Sequence, residues 1–383
     1  MSDLGVYIHI PYCLQRCTYC DFATYVHTEI RPPQDYVSLV KKEISDKKNL
    51  FVPRELKTIY FGGGTPSLIQ AELIVDLISE LSKFGYTTGP QTEITIEINP
   101  ATVDERKLEI YLKAGINRFS VGAQTFSDRL LKMVHREHNA DQTRQTLALL
   151  RKYNLNFSFD LLFALPTQTL AELRYDIDVA VELGSKHISP YCLTVPEAHP
   201  LSKNRPLEDE QVQMFQMIHE ALVKNGQHRY EISNYAQPGF ESQHNLLYWT
   251  DRQYWGLGLS AHSYSKLSEW GSRFWNPNSL EIYAQQVLGN AQQNDSQIEV
   301  LEKHQALTDF CHTSLRLSAG LSVDKLVNKF GATTAERVRD LVTPMIKHDL
   351  LHLVSDAYCL TEKGILVSNQ VFEKFTFLKS DLA

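Results

Sequence analysis

The chain has 383 residues, of which 43% are hydrophobic and 22% charged, an ordinary composition for a soluble globular protein. A net charge of -7 argues against a general nucleic-acid binder, because there is no basic excess to neutralise phosphates. The sequence contains no apolar run of about 18 residues that could span a membrane. The first apolar stretch, 6–10, is too short for a secretion signal and lacks a basic region before it, so a cytoplasmic protein is expected, with peripheral membrane association left open.

From the first strand onward, short β-rich runs alternate with helical patterns. Strands are expected at 6–10, 56–61, 92–98, 117–121, 156–162 and 187–191, and helices at 35–44, 67–84, 105–114, 140–153 and 170–183. Such alternation implies a parallel sheet with right-handed crossovers. Strands covered on both faces usually read as unbroken apolar runs, whereas several of these alternate. Ile94, Ile96 and Ile98 share one face and leave Thr95 and Glu97 on the other. Phe157, Phe159 and Leu161 oppose Ser158 and Asp160, Phe119 and Val121 oppose Ser120, and Ile8 and Ile10 oppose Tyr7 and His9. With the apolar face under the helices, the polar residues face a cavity, which predicts a partial barrel with a polar interior rather than a filled eight-stranded one.

Farther along, 208–225 reads as a helix and 248–275, rich in aromatic residues and glycine, resists assignment. Helices at 322–329 and 334–348 precede an apparent hairpin at 351–360, the pattern of a winged-helix-like module. Without a basic cluster, that module reads as a lid or docking element rather than a DNA reader. Three regions follow: a barrel at 1–205, an extension at 206–298 and a mainly helical module at 299–383.

Six cysteines are present, three of them (Cys13, Cys17 and Cys20) within eight positions directly after the first strand. The scattered Cys192, Cys311 and Cys359 read as small buried hydrophobes. Each iron of a [4Fe–4S] cubane wants one outer ligand, so three thiolates leave one iron open to a small molecule. A structural zinc site with His9 as fourth ligand is the alternative, although zinc ligands normally come in two pairs separated by a longer loop. Gly62-Gly63-Gly64-Thr65-Pro66, between a strand and a helix, lets the backbone approach a ligand closely, but a plain tight turn would read the same.

The Cys-x3-Cys-x2-Cys spacing after a first strand resembles the radical S-adenosylmethionine (SAM) superfamily. The run from Tyr7 to Phe22 resembles the oxygen-independent coproporphyrinogen oxidase group, and more closely that group's haem-chaperone branch, HemW. This resemblance implies a partial (β/α)6 TIM-like barrel binding a [4Fe–4S] cluster and SAM. It implies that Gly62, Gly63, Gly64 and Thr65 contact the amino group of SAM, that Glu97 holds its ribose hydroxyls, and that Gln124 and Asp160 make further polar contacts. Arg136 would sit near the SAM carboxylate, with Tyr7 and Tyr19 beside the cluster. Ala164 stands where family members commonly have glycine, a difference of one methyl group.

Two departures weaken the oxidase reading. Phe22 occupies the position of the oxidases' further cysteine, and six residues precede Tyr7 where the oxidases carry a substantial extension. His244-Asn245-Leu246-Leu247-Tyr248-Trp249 matches the HNxxYW motif of the haem-chaperone members, which implies haem or porphyrin as a ligand. His244 is the expected iron ligand and His262 a secondary candidate. The resemblance therefore implies a haem chaperone with a reductant protein and haem-accepting proteins as partners, and not an efficient oxidase. Radical decarboxylation of coproporphyrinogen is the alternative and a structural zinc protein the distant one.

Overall fold

The computed structural model describes residues 3–289 and 297–382. Twelve strands join in one sheet: β1 (Leu4–Ile10), β2 (Thr58–Gly63), β3 (Glu93–Ile98), β4 (Arg118–Gln124), β5 (Asn156–Phe163), β6 (His187–Cys192), β7 (His228–Glu231), β8 (Asn234–Ala236), β9 (Gln253–Leu257), β10 (His262–Ser265), β11 (Ser272–Trp275) and β12 (Ile298–Val300). The order is β12-β11-β10-β9-β1-β2-β3-β4-β5-β6-β8-β7. From β1 to β6 every pairing is parallel, as the alternation of strand and helix requires.

The predicted strand phases hold. Ile94, Ile96 and Ile98 are at most 2% exposed and pack into the main core with Phe119, Val121, Phe159 and Leu161. The helix Ala71–Lys83 covers that face with Leu73, Ile74, Leu77 and Leu81, a stripe at helical spacing. Local capping sets the helix starts. Asn139 and Gln142 form a capping box at the head of Ala140–Lys152, as Thr169 and Glu172 do for Leu170–Glu182. The helix expected over 67–84 is shorter, because 66–68 form a single 3-10 turn and extended Gln70 separates it from the helix proper.

The unassigned segment 248–275 supplies β9 to β11. The first of these extends the barrel by pairing parallel to β1 on its open side, and the others return antiparallel. Gly256 permits this crossing, since a Cβ there would stand 2.8 Å or less from the His262 backbone. At the opposite edge, β8 and β7 add antiparallel to β6. Strands between His228 and Val300 thus complete both edges of the sheet.

The C-terminal module has its own core, in which Leu307, Cys311, Leu315, Leu321, Leu326 and Val338 are buried. Helices Lys303–Arg316, Val323–Phe330 and Ala332–Lys347 precede the hairpin of Leu351–Val354 with Ala357–Leu360. Charge and stacking tie the module to the barrel. Arg316 reaches the buried Glu231 at 2.7 Å, Lys329 reaches Asp251 at 2.7 Å, and the Trp270 and Phe330 rings stack at 5.6 Å. Among the described residues no helix is long and apolar enough to cross a membrane.

Candidate functional site

The cysteine loop leaves β1 through the short strand Tyr12–Cys13. It is folded back on itself by pairing with Tyr25–Val26, where His27 N donates to Cys13 O at 2.9 Å. All three clustered cysteines are free thiols lining one cavity of about 390 Å³. Cys13 is buried and its thiol is pushed up to about 11 by that burial; the same cause raises Cys20. Among the described residues no three His, Cys, Asp or Glu side chains are gathered as a single metal ion would need, so what the thiols share is the cavity wall.

His9 is not disposed as the fourth ligand of the zinc alternative. Its Nε2 pairs with Ala23 O at 2.9 Å and its Nδ1 with the Tyr7 hydroxyl at 3.0 Å. Burial holds the ring neutral, lowering its pKa to about 4.

The strand ends build the rest of this cavity. At Gly63 the backbone has φ of 111°, and an added Cβ would stand 2.9 Å or less from three His9 ring atoms. Gly62 is equally bare, since a Cβ there would come within 3.0 Å of Glu97 Oε1. Glu97 accepts from Gly63 N at 3.1 Å and from the Tyr60 hydroxyl at 2.8 Å. Burial raises the Glu97 carboxyl to about 7 despite those bonds, and Asp160 adds to the rise. Asp160 is raised to about 6, again by burial, against a hydrogen bond from Ser189 and the charges of Arg118 and Arg136.

Arg136 crosses the cavity, donating to Gly122 O at 2.6 Å and to Cys17 Sγ at 3.5 Å, while its buried Nε has no partner. Gln124, with φ of 65°, ends β4 at a register shift that turns it into the same space. Tyr19, Gly63, Gly64, Thr65, Glu97, Gln124, Arg136 and Asp160 therefore line one cavity with the three thiols, and Gly62 forms the bare wall beside Glu97. Soft thiolate donors, a backbone cradle without side chains and an incompletely satisfied guanidinium suit an iron–sulfur cluster with a polar, zwitterionic ligand beside it.

A second cavity of about 590 Å³ continues inward and shares Phe22, Gly63, Glu97, Ser120, Asp160 and Tyr191 with the first. Tyr7 lines it, as do three residues of the HNxxYW segment: His244, Asn245 and Tyr248. That segment forms the helix Gln243–Trp249, held by the Glu93 carboxylate accepting from Gln243 N at 3.1 Å and His244 N at 3.0 Å. His244 is 1% exposed, with Nδ1 bonded to Thr58 Oγ1 at 2.6 Å and Nε2 to the Tyr248 hydroxyl at 2.8 Å. Burial and the Arg118 charge lower its pKa to about 3. Both ring nitrogens are thus occupied, which is a structural histidine's arrangement rather than a free ligand's.

Trp249 is not in the cavity but stacks with Arg316 of the C-terminal module, 4.6 Å from its guanidinium. His262, the secondary candidate, is exposed at the cavity rim, its ring rests on that of Trp275 at 5.7 Å, and its side chain has no hydrogen bond among the described residues. Sequence reasoning missed Tyr60, Arg118, His187 and Ser189, which line this interior. The alternation that marked Ser120 extends back to Arg118, and the same rule separates His187 and Ser189 from buried Ile188.

Comparison with known proteins agrees with this geometry. Residues 7–180 match the radical SAM superfamily and 301–367 the HemN C-terminal domain. The chain is 32% identical to the heme chaperone HemW of Lactococcus lactis, with 97% of each chain covered, and 32% identical to that of Bacillus subtilis, covering 97% and 98%. The Escherichia coli heme chaperone HemW is also 32% identical, with 98% of each covered. The solved coproporphyrinogen III oxidase (HemN) from Escherichia coli superimposes with a TM-score of 0.83 at 21% identity, covering 98% of this chain and 90% of that one, and so shares the fold.

Proposed function

This chain belongs to the haem chaperone HemW family of radical SAM proteins, and from that membership we propose that it holds a [4Fe–4S] cluster on Cys13, Cys17 and Cys20, binds SAM beside it, and binds haem for delivery to acceptor proteins. The observation that carries the cofactor reading is the convergence of three thiols, the Gly63 backbone, Glu97, Arg136 and Asp160 on one cavity. When bound, cluster and SAM supply one-electron sulfonium cleavage and radical hydrogen abstraction, delivered by the cofactor rather than by side chains.

The protein's own part is to bind and orient. Glu97, already engaged by Tyr60 and Gly63, presents carboxylate oxygens to hydroxyl groups, and Arg136 presents a cation to a carboxylate. A reductant protein would supply the electrons, and Leu14, Gln15 and Phe22 of the cysteine loop are exposed where such a partner could approach.

For haem, accessibility favours His262 over His244 as the iron ligand, because His244 would first have to give up its bond to Tyr248. The test is anaerobic reconstitution with iron and sulfide, followed by haem titration monitored at the Soret band, with coproporphyrinogen III, SAM and reductant in a parallel reaction. Haem binding without protoporphyrinogen formation is expected. Efficient decarboxylation would replace the chaperone reading with the oxidase one. His262→Ala is expected to shift the Soret band, while His244→Ala leaves the ligation unchanged.

A further inference from the structure

The inner cavity holds a feature that the cluster and SAM reading does not use. Arg118 opens β4 at the cavity's inner end, 2% exposed, where it lines the space. Its Nη2 donates to Ser158 Oγ at 3.0 Å, and its Nε is buried without a partner. The nearest carboxylate, Glu93, stays 4.0 Å from Nε and spends its oxygens on the helix Gln243–Trp249. Beside Arg118, His187 is 1% exposed. Its Nε2 is bonded to the Tyr230 hydroxyl at 2.8 Å, and its Nδ1 is buried with no partner.

A buried, incompletely bonded guanidinium is costly unless a ligand completes it. Its charge is felt all round the cavity: it opposes ionisation of His187 and His244 and favours ionisation of Glu97 and Asp160. Those two acids stand at the end shared with the first cavity, while at the inner end Arg118 faces neutral His187 and has Glu93 4.0 Å from its Nε. Tyr7, Tyr60 and Tyr248 wall the space between, apolar bodies with polar tips suited to an organic ligand.

We propose that the inner cavity is a second binding site, adjoining the cluster and SAM site, in which the Arg118 guanidinium receives the carboxylate of an organic acid. The acid is either a propionate arm of a tetrapyrrole or a small free carboxylate. For a tetrapyrrole arm the proposal rests on the haem reading; for a free acid it stands without it.

The test uses the full-length reconstituted protein and three probes: protoporphyrin IX, its dimethyl ester, and sodium propionate. Porphyrin binding is followed by fluorescence and propionate binding by calorimetry. The diacid is expected to bind at least tenfold more tightly than the diester. Arg118→Gln should remove that preference while leaving diester affinity unchanged, and Arg118→Lys should restore part of it. Because removal of a buried arginine can impair folding, the wild-type comparison is decisive alone: propionate should weaken diacid binding and leave diester binding untouched.

Propionate binding that depends on Arg118, without any porphyrin binding, would support the site with a free acid as ligand and defeat the haem reading. Equal binding of diacid and diester, with no effect of propionate, would overturn the carboxylate site and leave the haem reading standing. Absence of binding by all three probes to folded protein would overturn both.

Discussion

Glu97 makes the electrostatic cost of this interior measurable. Burial raises its carboxyl from 4.5 to about 7 in the folded chain. A raised acid binds its proton more tightly when folded, so its stabilising contribution is complete below pH 4.5 and is lost as pH rises through about 7. Each pH unit between those two values is worth about 1.4 kcal/mol, so the full window carries roughly 3 kcal/mol, and the part between about pH 5.5 and 8 roughly 2 kcal/mol. The assay is urea unfolding of the cofactor-free protein at both pH values, for wild type and Glu97→Gln. The variant alters the bonds to Tyr60 and Gly63 at every pH, so absolute stabilities differ, but the pH-dependent difference isolates the ionisation. Wild type should lose about 2 kcal/mol more than the variant between the two pH values. Parallel curves would show that Glu97 is already ionised in a solvated site, and would refute the enclosed, polar interior.

The other predictions concern the cradle, the domain contact and the thiols. Gly63→Ala forces a side chain into φ of 111° and against His9. Strain of roughly 1–3 kcal/mol plus overpacking of similar size should lower stability by about 2–6 kcal/mol in chemical denaturation. Arg316→Ala strips the guanidinium from fully buried Glu231, although Ser233 N and Asn234 still donate to that carboxylate. Because Arg316 is itself 27% exposed, a loss of about 2–3 kcal/mol is expected, read by thermal unfolding of the whole chain. Cys17→Ala should reduce iron and sulfide content after reconstitution to a small residue. Cys192→Ala, which changes a thiol lining the same cavity, should leave both unchanged.

Much of the site was legible because strand alternation is a local property. Side chains two apart in a strand share a face whatever the rest of the chain does, so Tyr7, Glu97 and Asp160 were turned inward from sequence and lie on cavity walls. The same rule, carried one step farther, would have found Arg118 and Ser189. The aromatic stretch 248–275 was illegible because β9 pairs with β1 across about 250 residues, and no local pattern records that partner.

By itself the sequence determined the parallel barrel, the cysteine loop, the Gly-rich turn and which strand residues face the interior, since each follows from spacing along a few consecutive positions. Only the tertiary structure decided how each polar group is used. His244 carries a haem-chaperone motif yet spends both nitrogens on Thr58 and Tyr248, whereas His262 stands accessible at the rim and Arg118 lies buried with an unused donor. Whether a histidine or arginine is satisfied depends on partners brought from distant strands, and hydrogen bonding within an enclosed cavity is settled only when those strands meet.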